Sequence, residues 1–178
     1  MRIMLREGSL TKNLRDLLPI ITPDNLGRCF FVTDDRHPKD ILEEGHIDFM
    51  VRTTIAYGIK PVSAIRLATI NCAEYFKLDN LGAIAPGFIA DVLVLDSLDD
   101  FKVEMVFKRG KLVARDGELL PLEVNPPKIN LRSSVNIKFL TLDDFKIPAK
   151  GKRVRAIEIQ PKQIKTREVV TEARINNG

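Results

Sequence analysis

Met1–Leu5 is a short apolar run followed by a polar corner, Arg6-Glu7-Gly8-Ser9, and it reads as a buried strand. Leu10, Leu14, Leu17 and Leu18 then recur with the spacing of one helical face. They predict a helix over Leu10–Leu18, capped by Ser9 or Thr11 and ended or kinked at Pro19. Cys29–Thr33 is a second apolar run between Gly27 and the charged loop Asp34–Pro38. Its hydrophobicity is continuous rather than alternating, which suits a parallel strand covered on both faces. Two helical stretches follow. His46–Tyr57 carries Ile47, Met50, Val51 and Ile55 and stops at Gly58; Pro61–Phe76 opens on a first-turn proline and carries Val62, Ile65, Leu67, Ala68, Ala73 and Phe76.

Beyond Phe76 the period changes. Leu81–Gly87 is rich in turn formers and leads into the apolar run Ala90–Asp96. Val103–Lys108 and Lys111–Ala114 flank Arg109-Gly110 as a hairpin, and Leu119-Leu120 closes this small β unit. In the tail, Val135–Leu140, Val154–Ile159 and Ile164–Val170 are β-prone runs separated by proline, glycine and charge, and Asn176-Asn177-Gly178 is a turn signal. The first block is thus β/α alternation and the rest is short strands, an α/β chain with small β segments after it.

Composition narrows what such a chain can do. With 44% hydrophobic and 29% charged residues in 178, a packed core is feasible and wholesale disorder is excluded. Nine Phe, two Tyr and no Trp argue against a base-stacking nucleic-acid platform. Two cysteines, Cys29 and Cys72, and two histidines, His37 and His46, rule out a four-cysteine zinc site, a three-histidine site and a disulfide scaffold. Any metal must lean on carboxylates or take ligands from another chain. No apolar run suits a membrane span or an export signal, and the expected location is the cytoplasm. The net charge of +4 is uneven: residues 1–127 sum to −3 and the remainder to +7, with the change beside the linker-like Asn125-Pro126-Pro127.

Asp34-Asp35 is the sharpest chemical feature, because two carboxylates leave the end of an apolar strand where α/β proteins build sites. One can face a metal or water while its neighbour reaches substrate; the plainer reading is that either caps a turn or pairs with Arg36. His37 lies close enough in sequence to join them, but a loop histidine bonded to a carbonyl is the simpler expectation. For His46, at a helix start, a structural hydrogen bond is expected, with Asp48 well placed at the positive helix end. If the first two strands are parallel neighbours, Arg6–Ser9 opens onto the rim that holds Asp34. Cys29 and Cys72 read as buried small hydrophobes. Gly82–Gly87 lacks the Gly-Lys-Ser/Thr of a phosphate loop. The basic tail is explained by edge-strand lysines before nucleic acid needs invoking.

Phe31-Val32-Thr33-Asp34-Asp35-Arg36-His37-Pro38, followed by Glu44-Gly45-His46-Ile47-Asp48, resembles the last barrel strand and helix of the adenine deaminases of the amidohydrolase superfamily. Pro61–Ile65 with Ala68–Ala73 is similar to the final barrel helix. Leu81–Gly87 with Ala90–Asp96 is similar to the return into the small β domain, and Met4–Ser9 to the segment after the seventh strand. Arg153–Val170 resembles, more loosely, the opening of the C-terminal domain of these enzymes.

The resemblance implies the terminal β/α units of an incomplete (β/α)8 barrel over residues 1–78, half of a small β domain over 79–120, and a linker with the start of a C-terminal domain over 121–178. It implies hydrolysis of adenine to hypoxanthine and ammonia with a divalent metal, manganese or iron. Asp34 would be both catalytic group and metal ligand, and Asp35, Glu7 and Ser9 would bind substrate. The family's His-x-His and its further metal ligands have no counterparts here. The expectation is therefore a chain that is inactive alone, or active only beside a complementary N-terminal chain. A homo-oligomeric parent, and no membrane partner, complete the picture. The rival reading is a non-catalytic assembly or regulatory module derived from the same superfamily.

Overall fold

A computed structural model describes residues 1–122, 128–129, 135–148 and 150–174. The expected linker at Asn125–Pro127 and the turn at Asn176–Gly178 lie outside the described residues. Contacts divide the chain into two units, one of Met1–Leu122 with Pro161–Ile164 and one of Glu123–Gln160 with Lys165–Gly178. The residues expected as barrel end and as small β domain fall together in the first.

That first unit begins with a parallel pair, β1 (Ile3–Arg6) and β2 (Cys29–Val32), in the register Ile3↔Cys29 to Arg6↔Val32. Both faces of β2 are covered, as its unbroken hydrophobicity predicts. Cys29 and Phe31 join Leu5 in the main core, while Phe30 packs against Tyr75 and Phe76 at centroid distances of 4.7 and 6.1 Å. Helices α1 (Leu14–Leu17), α3 (Ile47–Ala56), α4 (Pro61–Ala68) and α5 (Ile70–Tyr75) pack against the pair, while the short α2 (Pro38–Glu43) buries no residue. Leu14, Met50, Val51, Ala64 and Leu67 are buried in the same core.

Two helices differ from expectation. The first is shorter than Leu10–Leu18: it starts at Leu14 and runs on as a 3₁₀ turn, Leu18–Ile20, which accommodates Pro19. Neither Ser9 nor Thr11 caps it; the preceding residue is Asn13, which makes no side-chain cap bond. The long helix Pro61–Phe76 is broken at Thr69, whose backbone leaves the helical region at φ −125°, ψ −99°. Its hydroxyl donates to the Ile65 carbonyl at 2.7 Å, the back-bonding by which threonine bends helices. At Gly82, with φ +89°, a Cβ would stand 2.9 Å from the Ala73 methyl and from Ile70 Cα, so glycine lets the chain return tightly over α5.

The small β unit is an antiparallel sheet in sequence order: β3 (Val92–Leu95), β4 (Val103–Lys108), β5 (Lys111–Arg115) and β6 (Glu118–Leu119). Arg109-Gly110, both at positive φ, make the two-residue hairpin turn that the sequence predicts. Asp91 secures it, accepting the Arg109 N–H at 2.8 Å and pairing with Lys108. Leu95, Phe101 and Val103 pack against the core of the first unit.

In the second unit, β7 (Arg153–Ile159) and β8 (Thr166–Glu172) form an antiparallel hairpin, close to the two expected strands. Val135–Leu140 forms no strand and has no ladder partner among the described residues. Among the described residues no helix is long and apolar enough to cross a membrane.

Candidate functional site

The parallel register carries both chains out of the sheet at the same end, so the segments after Arg6 and Val32 share one rim. Main-chain bonds prolong the pairing: the Glu7 N–H donates to the Val32 carbonyl at 3.1 Å, and the Ser9 N–H to the Asp35 carbonyl at 3.4 Å. Gly8 sits between them. A Cβ there would collide with the Asp35 carboxylate and lie 2.9 Å from Arg6 Nη2, so a larger residue would push those two side chains out of their present places. Asp34 turns the chain with φ +56°, a left-handed conformation that aspartate tolerates better than most residues.

The rim brings Asp34 and Asp35 onto one guanidinium. Arg6 Nε donates to Asp34 Oδ2 at 2.9 Å, and Arg6 Nη2 lies 2.7 Å from that oxygen and 2.6 Å from Asp35 Oδ1. Arg6 Nη1 donates to the Thr11 carbonyl at 3.1 Å and also meets the Thr11 hydroxyl. The Asp34 side chain is still 66% exposed, against 34% for Asp35 and 18% for Arg6. Asp34 is therefore the carboxylate that solvent or a ligand can reach.

Sequence reasoning considered Arg36 as the partner of these aspartates; the structure sends it elsewhere. The Arg36 side chain is only 2% exposed and pairs with Glu44 at 2.6 Å. Its Nε donates to the Gly45 carbonyl, and its Cζ lies 4.7 Å from the Phe49 ring centroid. Glu44 also meets Lys12 at 2.8 Å, and that bond, with the Arg36 pair, holds its carboxyl below the usual range against the cost of burial. This network around the buried Arg36 was missed, because only the folded loop brings positions 12, 36 and 44 together.

The remaining predicted groups take distinct places. Glu7 is buried, and its carboxylate accepts the Leu14 N–H at 2.9 Å, capping α1 from a distance. Burial pushes its pKa up despite that bond and the nearby Lys12 and Arg36 charges. The Ser9 hydroxyl accepts the His37 N–H at 2.7 Å and bonds Asp40, whose carboxyl it lowers. His37 offers this contact through its backbone. The His46 ring stands 3.2 Å from the Thr33 hydroxyl, and the His46 backbone N–H donates to Asp48 Oδ1 at 2.7 Å, the structural bonding expected at that helix start. Cys29 is buried, whereas Cys72 is half-buried rather than enclosed. Asn71, also missed, is buried and donates to the carbonyls of Leu26 and Cys29 at 2.8 and 2.9 Å, tying α5 to the start of β2.

Among the described residues no group of three or more His, Cys, Asp or Glu side chains is gathered as a metal site requires. Asp34 offers one carboxylate, and that carboxylate is held by Arg6. These residues do not fit a divalent metal by themselves.

Comparison with known proteins adds to this geometry. A family model described as "Amidohydrolase family" matches residues 3–113. The chain is 46% identical over 180 aligned residues to "Adenine deaminase 2" of Carboxydothermus hydrogenoformans, covering 100% of this chain and 31% of that protein. It is 46% identical over 178 residues to "Adenine deaminase" of Desulfatibacillum aliphaticivorans, with the same coverage. The crystal structure of an amidohydrolase from Thermotoga maritima MSB8 aligns with 61% of this chain and 29% of its own at 27% identity. The TM-score of that overlay is 0.41. The chain thus spans about a third of the length of the curated relatives it matches.

Proposed function

The chain belongs to the amidohydrolase family, and from that premise we propose that it supplies part of the catalytic rim of a hydrolase converting adenine and water to hypoxanthine and ammonia. The observation that carries this reading is the shared rim: β1 and β2 run parallel and deliver Glu7–Ser9 and Asp34–Asp35 to one end, with Asp34 the exposed carboxylate. In this reading Asp34 takes the proton of the attacking water and returns it to the departing amino nitrogen. Asp35 and Ser9 line the substrate side, whereas Glu7, expected there too, is buried and turned to the Leu14 N–H. A divalent metal, manganese or iron, belongs to the same proposal with Asp34 as one ligand. Since the described residues do not gather its other ligands, no step is derived through it.

Ammonia release from adenine in the presence of manganese tests the reading. The 178-residue chain alone is expected to give no turnover. Mixed with the N-terminal portion of the Carboxydothermus relative it is expected to give turnover, which Asp34→Asn reduces by about 10²–10⁴-fold. Turnover by the chain alone sinks the claim that other ligands are needed. A folded, co-purifying mixture without turnover sinks the adenine reading. The seat of Arg6 on both carboxylates favours a second reading, a non-catalytic assembly or regulatory module. It is supported if the partner binds and Asp34→Asn changes nothing.

A further inference from the structure

The segment from Thr33 to His46, which carries Asp34 and Asp35, is closed on itself. At its two ends the His46 ring stands 3.2 Å from the Thr33 hydroxyl. Between them Arg36 reaches across, with Nη2 on the Glu44 carboxylate at 2.6 Å and Nε on the Gly45 carbonyl at 3.2 Å. Lys12, 2.8 Å from the same carboxylate, ties this closure to the segment after β1. Arg36 works from the interior. Its side chain is 2% exposed, and Nη1 is buried with no hydrogen-bond partner among the described residues. A buried charge with an unmet donor is a poor source of stability, and an apolar side chain of that volume does as well or better. What the guanidinium adds is direction, because its rigid fork aims at two separate acceptors while its face lies on Phe49. The turn beside it needs such a fixed point. Asp34 is held at φ +56°, a state that a non-glycine residue keeps only where its surroundings determine it.

We infer that Arg36 is a positioning residue of this rim: anchored on Glu44 and Gly45, it fixes the backbone from Asp34 to His37, and with it the place where Asp34 and Asp35 present their carboxylates. The inference rests on the reading of Asp34 given above and names the group that sets its geometry. Two bonds report on that stretch of backbone, the Ser9 N–H to the Asp35 carbonyl and the His37 N–H to the Ser9 hydroxyl.

Amide hydrogen exchange of the full chain, measured beside its urea midpoint, is the test. Arg36→Met keeps the bulk against Phe49 and leaves Glu44 paired with Lys12, but it removes the directed bonds. Exchange at Ser9 and His37 is expected to rise about tenfold, while exchange across Cys29–Val32 and the urea midpoint stay as they are. Unchanged exchange at Ser9 and His37 overturns the inference. So does a rise shared by Cys29–Val32 with a lower midpoint, because Arg36 is then general support for its unit and sets nothing at the rim. Should Arg36→Met not fold, Glu44→Gln carries the test. It weakens the anchor at a side chain that is 33% exposed, and exchange at the same two amides is expected to rise about threefold; no rise there overturns the inference. None of these readouts involves adenine, so the ammonia assay decides that reading separately.

Discussion

The two sheets at the ends of the chain are built on opposite terms. β1 and β2 pair over four residues each, yet Leu5, Cys29, Phe30 and Phe31 are almost completely buried. β7 and β8 pair over seven residues each, yet only Ala156 and Val169 along them are even half-buried. The longer ladder has more main-chain bonds and the shorter one has the core. An isolated two-stranded hairpin is marginal in water, whereas helices packed on both faces of a short parallel pair bury enough apolar surface to hold it. The candidate site stands on the second kind of sheet, so its geometry is set by packing rather than by the ladder.

The largest effect expected from this difference is at Leu5. It is fully buried between the strands and helices, and Leu5→Ala should cost about 3 kcal/mol through lost transfer energy and the cavity left behind. Urea unfolding monitored by circular dichroism measures it. A cost below about 1 kcal/mol would mean that the parallel pair is not the stabilising centre of its unit.

What could be read in the sequence follows the same division. Cys29–Thr33 was legible because a strand covered on both faces must be apolar throughout, and that needs no knowledge of its neighbours. The shared rim was legible on the single condition that the strands run parallel, which they do. Contacts made at a distance were not. The start of α1 at Leu14 depends on the Glu7 carboxylate seven residues earlier, so the leucine spacing alone placed that start too soon. Leu10, counted on the helical face, is 69% exposed. The break at Thr69 lay hidden inside an intact apolar period. Proline at the first position of α2 was the usable signal for that helix, which was not predicted. The aspartates' partner was misplaced for a similar reason: Arg36 is the neighbour of Asp35 in sequence, while Arg6 reaches both aspartates through strand register.

Smaller, and specific to the buried side, is a pH effect at Glu7. Burial raises its pKa in the folded chain, so the folded state binds a proton more readily than the unfolded one. Its contribution is fully present below the unfolded value and is lost as pH rises through the folded value. Glu44 and Asp48 act in the opposite sense. Lys12 and Arg36 lower Glu44, while at Asp48 the Arg52 and His46 bonds outweigh burial. Their contributions are present above the unfolded values and lost as pH falls. Glu7→Gln removes only the first term and keeps an oxygen for the Leu14 N–H. Relative to the unaltered chain, it should gain stability between about pH 4 and about pH 7, read from urea midpoints at both. A difference independent of pH would show that Glu7 is charged in both states with equal ease.

The smallest effect belongs to the hairpin. Ile157 lies on β7 opposite Glu168 and is 75% exposed, so Ile157→Ala removes little buried surface and should change the stability of the full chain by less than about 0.5 kcal/mol. The strand sequence Arg153-Val154-Arg155-Ala156-Ile157-Glu158-Ile159 mixes charged and apolar residues on both faces, which leaves its register weakly specified by burial. Amide exchange should accordingly be much faster across Arg153–Ile159 than across Cys29–Val32, because the hairpin can open without exposing a core. Slow exchange in the hairpin, or a cost at Ile157 approaching that at Leu5, would require that face to be covered in solution. The contrast between the two sheets would then be one of missing cover rather than of sequence.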